Sequence, residues 1–270
     1  MLSLVQALIE ARSNERGSLT LTRGTTPVQG LVTAALESHV HLLADAIETL
    51  VLAGLEHASL PLLRQAIECS VTGMWVALVP DGGDSILSAD AFSNVTIAEA
   101  IRRDGTLAGD RAEELVRRAQ RARESARETS APRKFEQRCK ELVGGEGLYL
   151  VYRLISRQCH ADAGLVDQYL ESIDTAPGVA LRKDAPRQLG SMDEMLASLV
   201  SSLLVAGLAV DKIDRNHRRR NVLRAMARRE GITTRFELTE QAKERLAKSN
   251  FVSVAISTSR GRKHRSAEQG

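Results

Sequence analysis

Residues 59–78 read SLPLLRQAIECSVTGMWVAL. Ser59 can cap a helix, and Pro61 fits its first turn, where a missing N–H is no loss. From there Leu63, Ile67, Val71, Met74 and Leu78 recur at spacings of 4, 4, 3 and 4, which draws one apolar stripe along a helix. Arg64 and Glu68 stand at i,i+4 on the border of that stripe, with Trp75, the single tryptophan, two turns further on. A helix that buries the stripe takes the ion pair partly out of water, and buried charges need partners. The pair is either a structural tie between helices or the wall of a polar pocket.

Upstream, Thr26-Pro27 opens a long helix with Leu31, Ala35, Leu42, Leu43, Ala46, Ile47, Leu50 and Val51 as its inward positions. A turn at 54–59 folds the two helices into an antiparallel hairpin. Downstream, Asp81-Gly82-Gly83-Asp84 reads as a loop and Ala91–Asp104 as a shorter helix. Residues 110–128 form a solvated helix laced with pairs such as Glu114–Arg118. Ser130 and Pro132 open a helix to Val143, closed by Gly144-Gly145. A further helix runs from Glu146 to Cys159, with Leu148, Val151, Tyr152, Ile155 and Cys159 inward, and Asp162 can cap one that reaches about Ile173. Asp174–Gly190, with Pro177 and Pro186, is a loop, and Ser191 caps an apolar helix to about Asp214. Only Phe251–Ser257 alternates like a strand. The expected fold is all-α: an antiparallel helical bundle over 26–214 after an N-terminal arm (1–25), then a basic helical appendage (215–250) and a basic tail (251–270).

Composition narrows the function. Hydrophobic residues make up 43% of the 270 and charged residues 26%, with eight aromatics, as suits a globular helical protein. The formal net charge of +3 conceals an asymmetry: residues 1–210 carry 21 Lys and Arg against 27 Asp and Glu, whereas 211–270 carry 16 against 7. Cys69, Cys139 and Cys159 form no C-x-x-C pair, which argues against a disulfide framework or a cysteine zinc site and for a cytoplasmic setting. Met1–Arg12 lacks the basic start of a signal peptide. The longest uncharged run, Met195–Val210, holds three serines over 16 residues. A spanning helix takes about 20 predominantly apolar residues, so this run is expected in the core and no membrane is expected as a partner. No phosphate-loop, dinucleotide or nucleophile-elbow motif is present.

Three further constellations carry chemistry. With about 100° per residue and Ile155 inward, Arg153, Arg157 and His160 fall about 140–200° away, on one outer face. A cationic face with one imidazole can bind a phosphodiester and move a proton near neutral pH, or it can be a plain basic surface. Leu150 and Leu154 also lean outward, which invites a homodimer. Glu37, His41 and Asp45 stand at i,i+4 spacings that can place metal ligands on one face, but the paired Glu-x-x-His of di-iron bundles is absent, and neither metal nor cofactor is expected. Finally, Arg215, Arg218, Arg219, Arg220, Arg224, Arg228 and Arg229 cluster within 15 residues, either as a phosphate-binding surface or as a basic face docked on the acidic body. No aromatic interleaves the cluster, which disfavours base stacking.

Arg64-x-x-x-Glu68 followed by Tyr152-x-x-x-Ser156-x-x-x-His160 resembles a group of uncharacterised bacterial helical proteins that are distantly similar to the HEPN superfamily. The resemblance spans about residues 30–175. It implies a dimeric helical bundle with an Arg-x(4–6)-His motif at the dimer interface, cleaving RNA without metal. Arg153 and His160 enclose six residues, and Leu154 follows the arginine where the family often has a polar residue. On that resemblance Arg153 and His160 are the expected catalytic residues, supported by Arg64, Glu68, Tyr152, Ser156, Arg157 and Asp162, with the arginine cluster at 215–229 holding the RNA backbone. The alternative is a non-enzymatic helical interaction or regulatory module whose basic C-terminal region contacts nucleic acid or an acidic partner.

Overall fold

A computed structural model describes residues 1–13, 19–127, 129–161, 163–172, 179–181 and 191–249. In chain order the elements are α1 (Leu2–Ser13), α2 (Pro27–Leu52), α3 (Leu60–Leu78), α4 (Gly82–Asp104), α5 (Gly109–Ser125), α6 (Phe135–Lys140), α7 (Gly145–Cys159) and α8 (Ala163–Tyr169). They continue as β1 (Leu170–Ser172), β2 (Val179–Leu181), α9 (Met192–Ile213) and α10 (Arg220–Arg229), and residues 240–249 are also helical. The fold is all-α. The short β1–β2 pair, antiparallel with Leu170 opposite Leu181, lies where the sequence predicts the end of a helix and a loop.

Helix α3 sits at the centre. Leu63, Ile67, Val71 and Met74 are buried as their spacing predicts, and Ala66, Trp75, Val76 and Ala77 bury the other flank. Helices α2 and α9 pack along it, α7 crosses its first half, and α1 closes on α2 and α9 through Leu4, Val5 and Leu8. By length and composition α9 could cross a membrane, but Leu199, Val200, Leu203 and Leu204 are enclosed in this bundle. Capping boxes start both flanking helices: Thr26 with Gln29 on α2, and Ser191 with Glu194 on α9. Ser59 does not cap α3. Its hydroxyl donates to the Glu56 carbonyl and closes the 3₁₀ turn Glu56–Ser59 instead.

Several expected boundaries move for packing reasons. The buried face of α2 is Gln29, Val32, Thr33, Glu37, Val40, Leu43, Ala44, Ile47 and Val51, while Leu31 and Leu42 are exposed. Polar residues turn the helix inward because they find partners there: the Gln29 amide donates to the Val76 carbonyl at 2.8 Å, at the far end of α3. Gly82 and Gly83 are helical and open α4 rather than a loop. A Cβ on Gly83 would stand 3.1 Å from the main chain of Val28 and Gln29, so glycine lets α4 pass the start of α2. Helix α5 lies on α4 through the narrow stripe Ala112, Val116 and Ala119, and Glu114 pairs with Arg117 and Arg121, not Arg118. Residues 130–134 are not helical, and α6 begins at Phe135.

Both ends of the described chain belong to the core. Residues 1–13 form a packed helix rather than an arm, and Leu223 and Ala227 of α10 are buried against α9. Main-chain bonds stitch residues 237–239 to 141–143: the Val143 N–H donates to Glu237 and the Thr239 N–H to Glu141. Asp162, the 174–178 and 182–190 parts of the expected loop, and the 251–270 tail with its strand-like stretch lie outside the described residues.

Overpacking at a helix crossing costs about 1–3 kcal/mol. Gly83→Ala is expected to lose that much in urea denaturation. Gly109→Ala, where a Cβ meets nothing within 4 Å, should be neutral or slightly stabilising.

Candidate functional site

The i,i+4 pairs on α3 and α7 meet where the two helices cross. Arg64 Nε donates to Ser156 Oγ at 2.8 Å, and Arg64 Nη2 donates to the Tyr152 hydroxyl. The guanidinium carbon also lies 4.7 Å from the Tyr152 ring centroid, within cation–π range. Glu68 Oε2 stands 3.9 Å from Arg64 Nη2. Burial raises the Tyr152 hydroxyl pKa, and the Glu68 carboxylate adds to the rise, so the phenol stays protonated and able to donate. Arg64, Glu68, Tyr152 and Ser156 therefore form one linked cluster.

The cluster continues through residues that spacing alone does not single out. Phe135 packs against Tyr152 with ring centroids 4.6 Å apart. Arg138, buried in α6, donates to the Pro132 and Arg133 carbonyls and lies 5.6 Å from the Trp75 ring. The Trp75 indole N–H donates to Glu141 Oε2 at 2.8 Å, and Arg245 grips Glu141 from Nε at 2.5 Å and Nη2 at 3.0 Å. One sequence signal does point here: a buried tryptophan N–H requires an acceptor. Which carboxylate answers it is a matter of tertiary structure.

Arg153 and Arg157 lie on the other side of α7, exposed beside Leu150 and Leu154, which are 61% and 55% exposed. Ser156 faces Arg64 while Arg153 faces solvent, so α7 separates Arg153 from Arg64, Glu68, Tyr152 and Ser156, and of the expected supporting residues Arg157 stays on the Arg153 side. A hydrogen bond with Tyr149 raises the Arg153 pKa and keeps the guanidinium charged. His160 is exposed and sits one residue past the helix, its backbone extended (φ −88°, ψ 146°) and its N–H donating to the Ser156 carbonyl. A helical wheel therefore positions Arg153 and Arg157 but not His160.

The arginine cluster is divided as well. Arg219 Nη2 lies 2.6 Å from Glu37 Oε1, and Arg220 Nε lies 2.9 Å from Asp211 Oδ2, both carboxylates being buried. Arg215, Arg218, Arg224, Arg228 and Arg229 are exposed, Arg229 beside Glu230 at 2.9 Å. Glu37 is also held by Arg12 Nε at 2.9 Å, with His41 Nε2 3.7 Å away. Two guanidiniums occupy this carboxylate, and Asp45 is exposed on the same helix. Among the described residues no group of three side chains is placed to hold a metal. Burial pushes His41 down to about 4, against the pull of Glu37 and with the help of Arg219 and Arg12.

The chain is thus an all-α bundle with a polar cluster at its α3–α7 crossing and a cationic face behind it. Residues 31–176 match a family of unknown function, DUF5677, and the chain belongs to that family. The match runs from α2 to just past β1 and contains both the cluster and the cationic face. Searches of curated proteins and of solved structures find no match.

A double-mutant cycle on Arg64→Ala and Ser156→Ala should show a coupling of about 1 kcal/mol in chemical denaturation, the worth of one hydrogen bond. The His41 pair state also sets a pH dependence. Its folded pKa of about 4 lies below the ordinary 6.5, so between those values the unfolded chain binds a proton that the folded chain refuses. Stability should be complete above pH 6.5 and fall by up to about 3 kcal/mol on acidification towards 4. His41→Gln should flatten that slope in denaturation curves taken across the same range.

Proposed function

We propose that the protein is a HEPN-like RNA-binding and RNA-cleaving bundle that works as a homodimer through the outer face of α7. The observation that carries this reading is the composition of that face: Arg153 and Arg157 are exposed beside the exposed Leu150 and Leu154, and His160 is exposed at the end of the same helix. The leucines offer apolar area for a partner helix, and the arginines offer phosphate ligands. In this scheme the His160 imidazole takes the proton from a ribose 2′-hydroxyl as its oxygen attacks the adjacent phosphorus. The bond to the 5′-oxygen breaks as that oxygen takes a proton from the His160 imidazolium or from water, leaving a 2′,3′-cyclic phosphate and a 5′-hydroxyl. Arg153, with Arg157, answers the charge that builds on the phosphorane. Exposed Arg224 and Arg228 would hold the RNA backbone from α10.

A second reading has one observation in its favour. Arg219 and Arg220 spend their charge on buried carboxylates, as expected of a scaffold whose remaining basic surface docks a partner without chemistry. Incubating purified protein with RNA in the presence of EDTA separates the two. Under the first reading wild type cleaves, and His160→Ala slows cleavage by about 100-fold with an unchanged melting temperature, because the side chain is exposed. Equal cleavage by both proteins defeats the His160 mechanism, and cleavage by neither leaves the non-enzymatic reading.

A further inference from the structure

A cavity of about 310 Å³ opens beside α7, between the start of α3 and the start of α9, with Leu154 at the edge it shares with the Arg153 face. Its floor is apolar: Leu60 and Leu63 from α3, Ile155 from α7 and Met195 from α9. That volume is the space of about ten water molecules at roughly 30 Å³ each, at the lower end of small-ligand sites. Water gains little on such a floor, whereas an apolar chain recovers the full transfer free energy.

The polar part of the lining has one sign. Glu56, half-buried, and Glu194, exposed, are both carboxylates, and no lysine or arginine is among the described residues that line the cavity. Glu194 commits Oε2 to the Ser191 N–H at 3.0 Å, and that bond leaves its other oxygen unused. His57, in the same wall, is held below its usual range by burial and so presents a neutral ring instead of a competing cation. The amino end of α9 would ordinarily favour an anion, but Asp193 and Glu194 in its first turn and the capping box of Ser191 already answer it.

We propose that this cavity binds a cationic amphiphile: an apolar body of about ten heavy atoms seated on the leucine and methionine floor, with an ammonium or amidinium head towards Glu56 and Glu194. The site adjoins the Arg153–His160 face through Leu154, which lines both, but neither arginine nor His160 lines it and it does not rest on RNA chemistry.

Titration calorimetry of the full chain with decylammonium chloride and with sodium decanoate, both below micelle formation, tests this. Decylammonium should bind one per chain and at least about tenfold more tightly than decanoate, a difference of about 1.4 kcal/mol. Glu56→Gln combined with Glu194→Gln should bring the two ligands to within about threefold of each other. Glutamine still serves a capping box, so α9 should keep its start. Ser198→Phe, which fills the cavity, should abolish binding of both. Should that variant fail to fold, Glu56→Lys is the substitute and should reverse the preference in favour of decanoate. The proposal is overturned if decanoate binds wild type as tightly as decylammonium, if neither binds, or if the glutamine pair leaves the preference intact.

Discussion

A helix enclosed on nearly every side must bring its polar side chains indoors with it, and α3 is such a helix. Arg64 and Glu68 keep only about a third of their side-chain surface in water, 30% and 37%, with α7 across them. Their charges are tolerable because Tyr152 and Ser156 supply hydrogen-bonding oxygens at the crossing. The same demand repeats two turns on, where the enclosed indole of Trp75 needs Glu141 and Glu141 in turn needs Arg245. The placement of α6, α7 and the 240–249 helix around α3 thus follows from satisfying three polar groups, as well as from burying leucines and valines.

This coupling of polar satisfaction to packing explains what could be read in the chain without coordinates. Helices α3, α7 and α9 were legible for different reasons: apolar spacing marks α3 and α7, and the Ser191 cap marks the start of α9. Arg64, Glu68, Tyr152 and Ser156 were grouped in the sequence only by the family resemblance, and their meeting at the α3–α7 crossing is a matter of tertiary structure. The face of α2 was not, because Leu31 and Leu42 carry as much apolar signal as the buried positions. What turns the helix is Gln29 and Glu37, buried polar residues whose partners lie outside α2, while the buried Thr33 hydroxyl donates back to the Gln29 carbonyl. Gly82-Gly83 misleads for a related reason: the pair looks like turn chemistry but serves a close approach between backbones. Arg138, Glu141 and Arg245 are separated by up to 107 positions from one another, and no local pattern announces that they converge.

The two flanks of α7 now have distinct characters. One carries exposed cations beside exposed leucines, the other walls an apolar cavity with carboxylates at its polar margin, and Leu154 marks their shared edge. A single 15-residue helix therefore presents opposite electrostatic preferences on surfaces about half a turn apart, with the Tyr152–Ser156 ridge fixing its rotation against α3. Any change that rotates α7 moves both surfaces together.

The carboxylate of Glu37 has an experimental consequence. Arg12 comes from the first helix and Arg219 from the entry to α10, so one buried side chain on α2 splices the N-terminal helix to the start of the C-terminal segment. Cutting away the C-terminal segment would strip Glu37 of one counter-charge and uncover the seat of Leu223 on Gly207, and the disturbance would reach the N-terminal helix. A truncated protein would then report on folding before it reported on binding. The exposed arginines of α10 are better interrogated one side chain at a time, with the splice left whole.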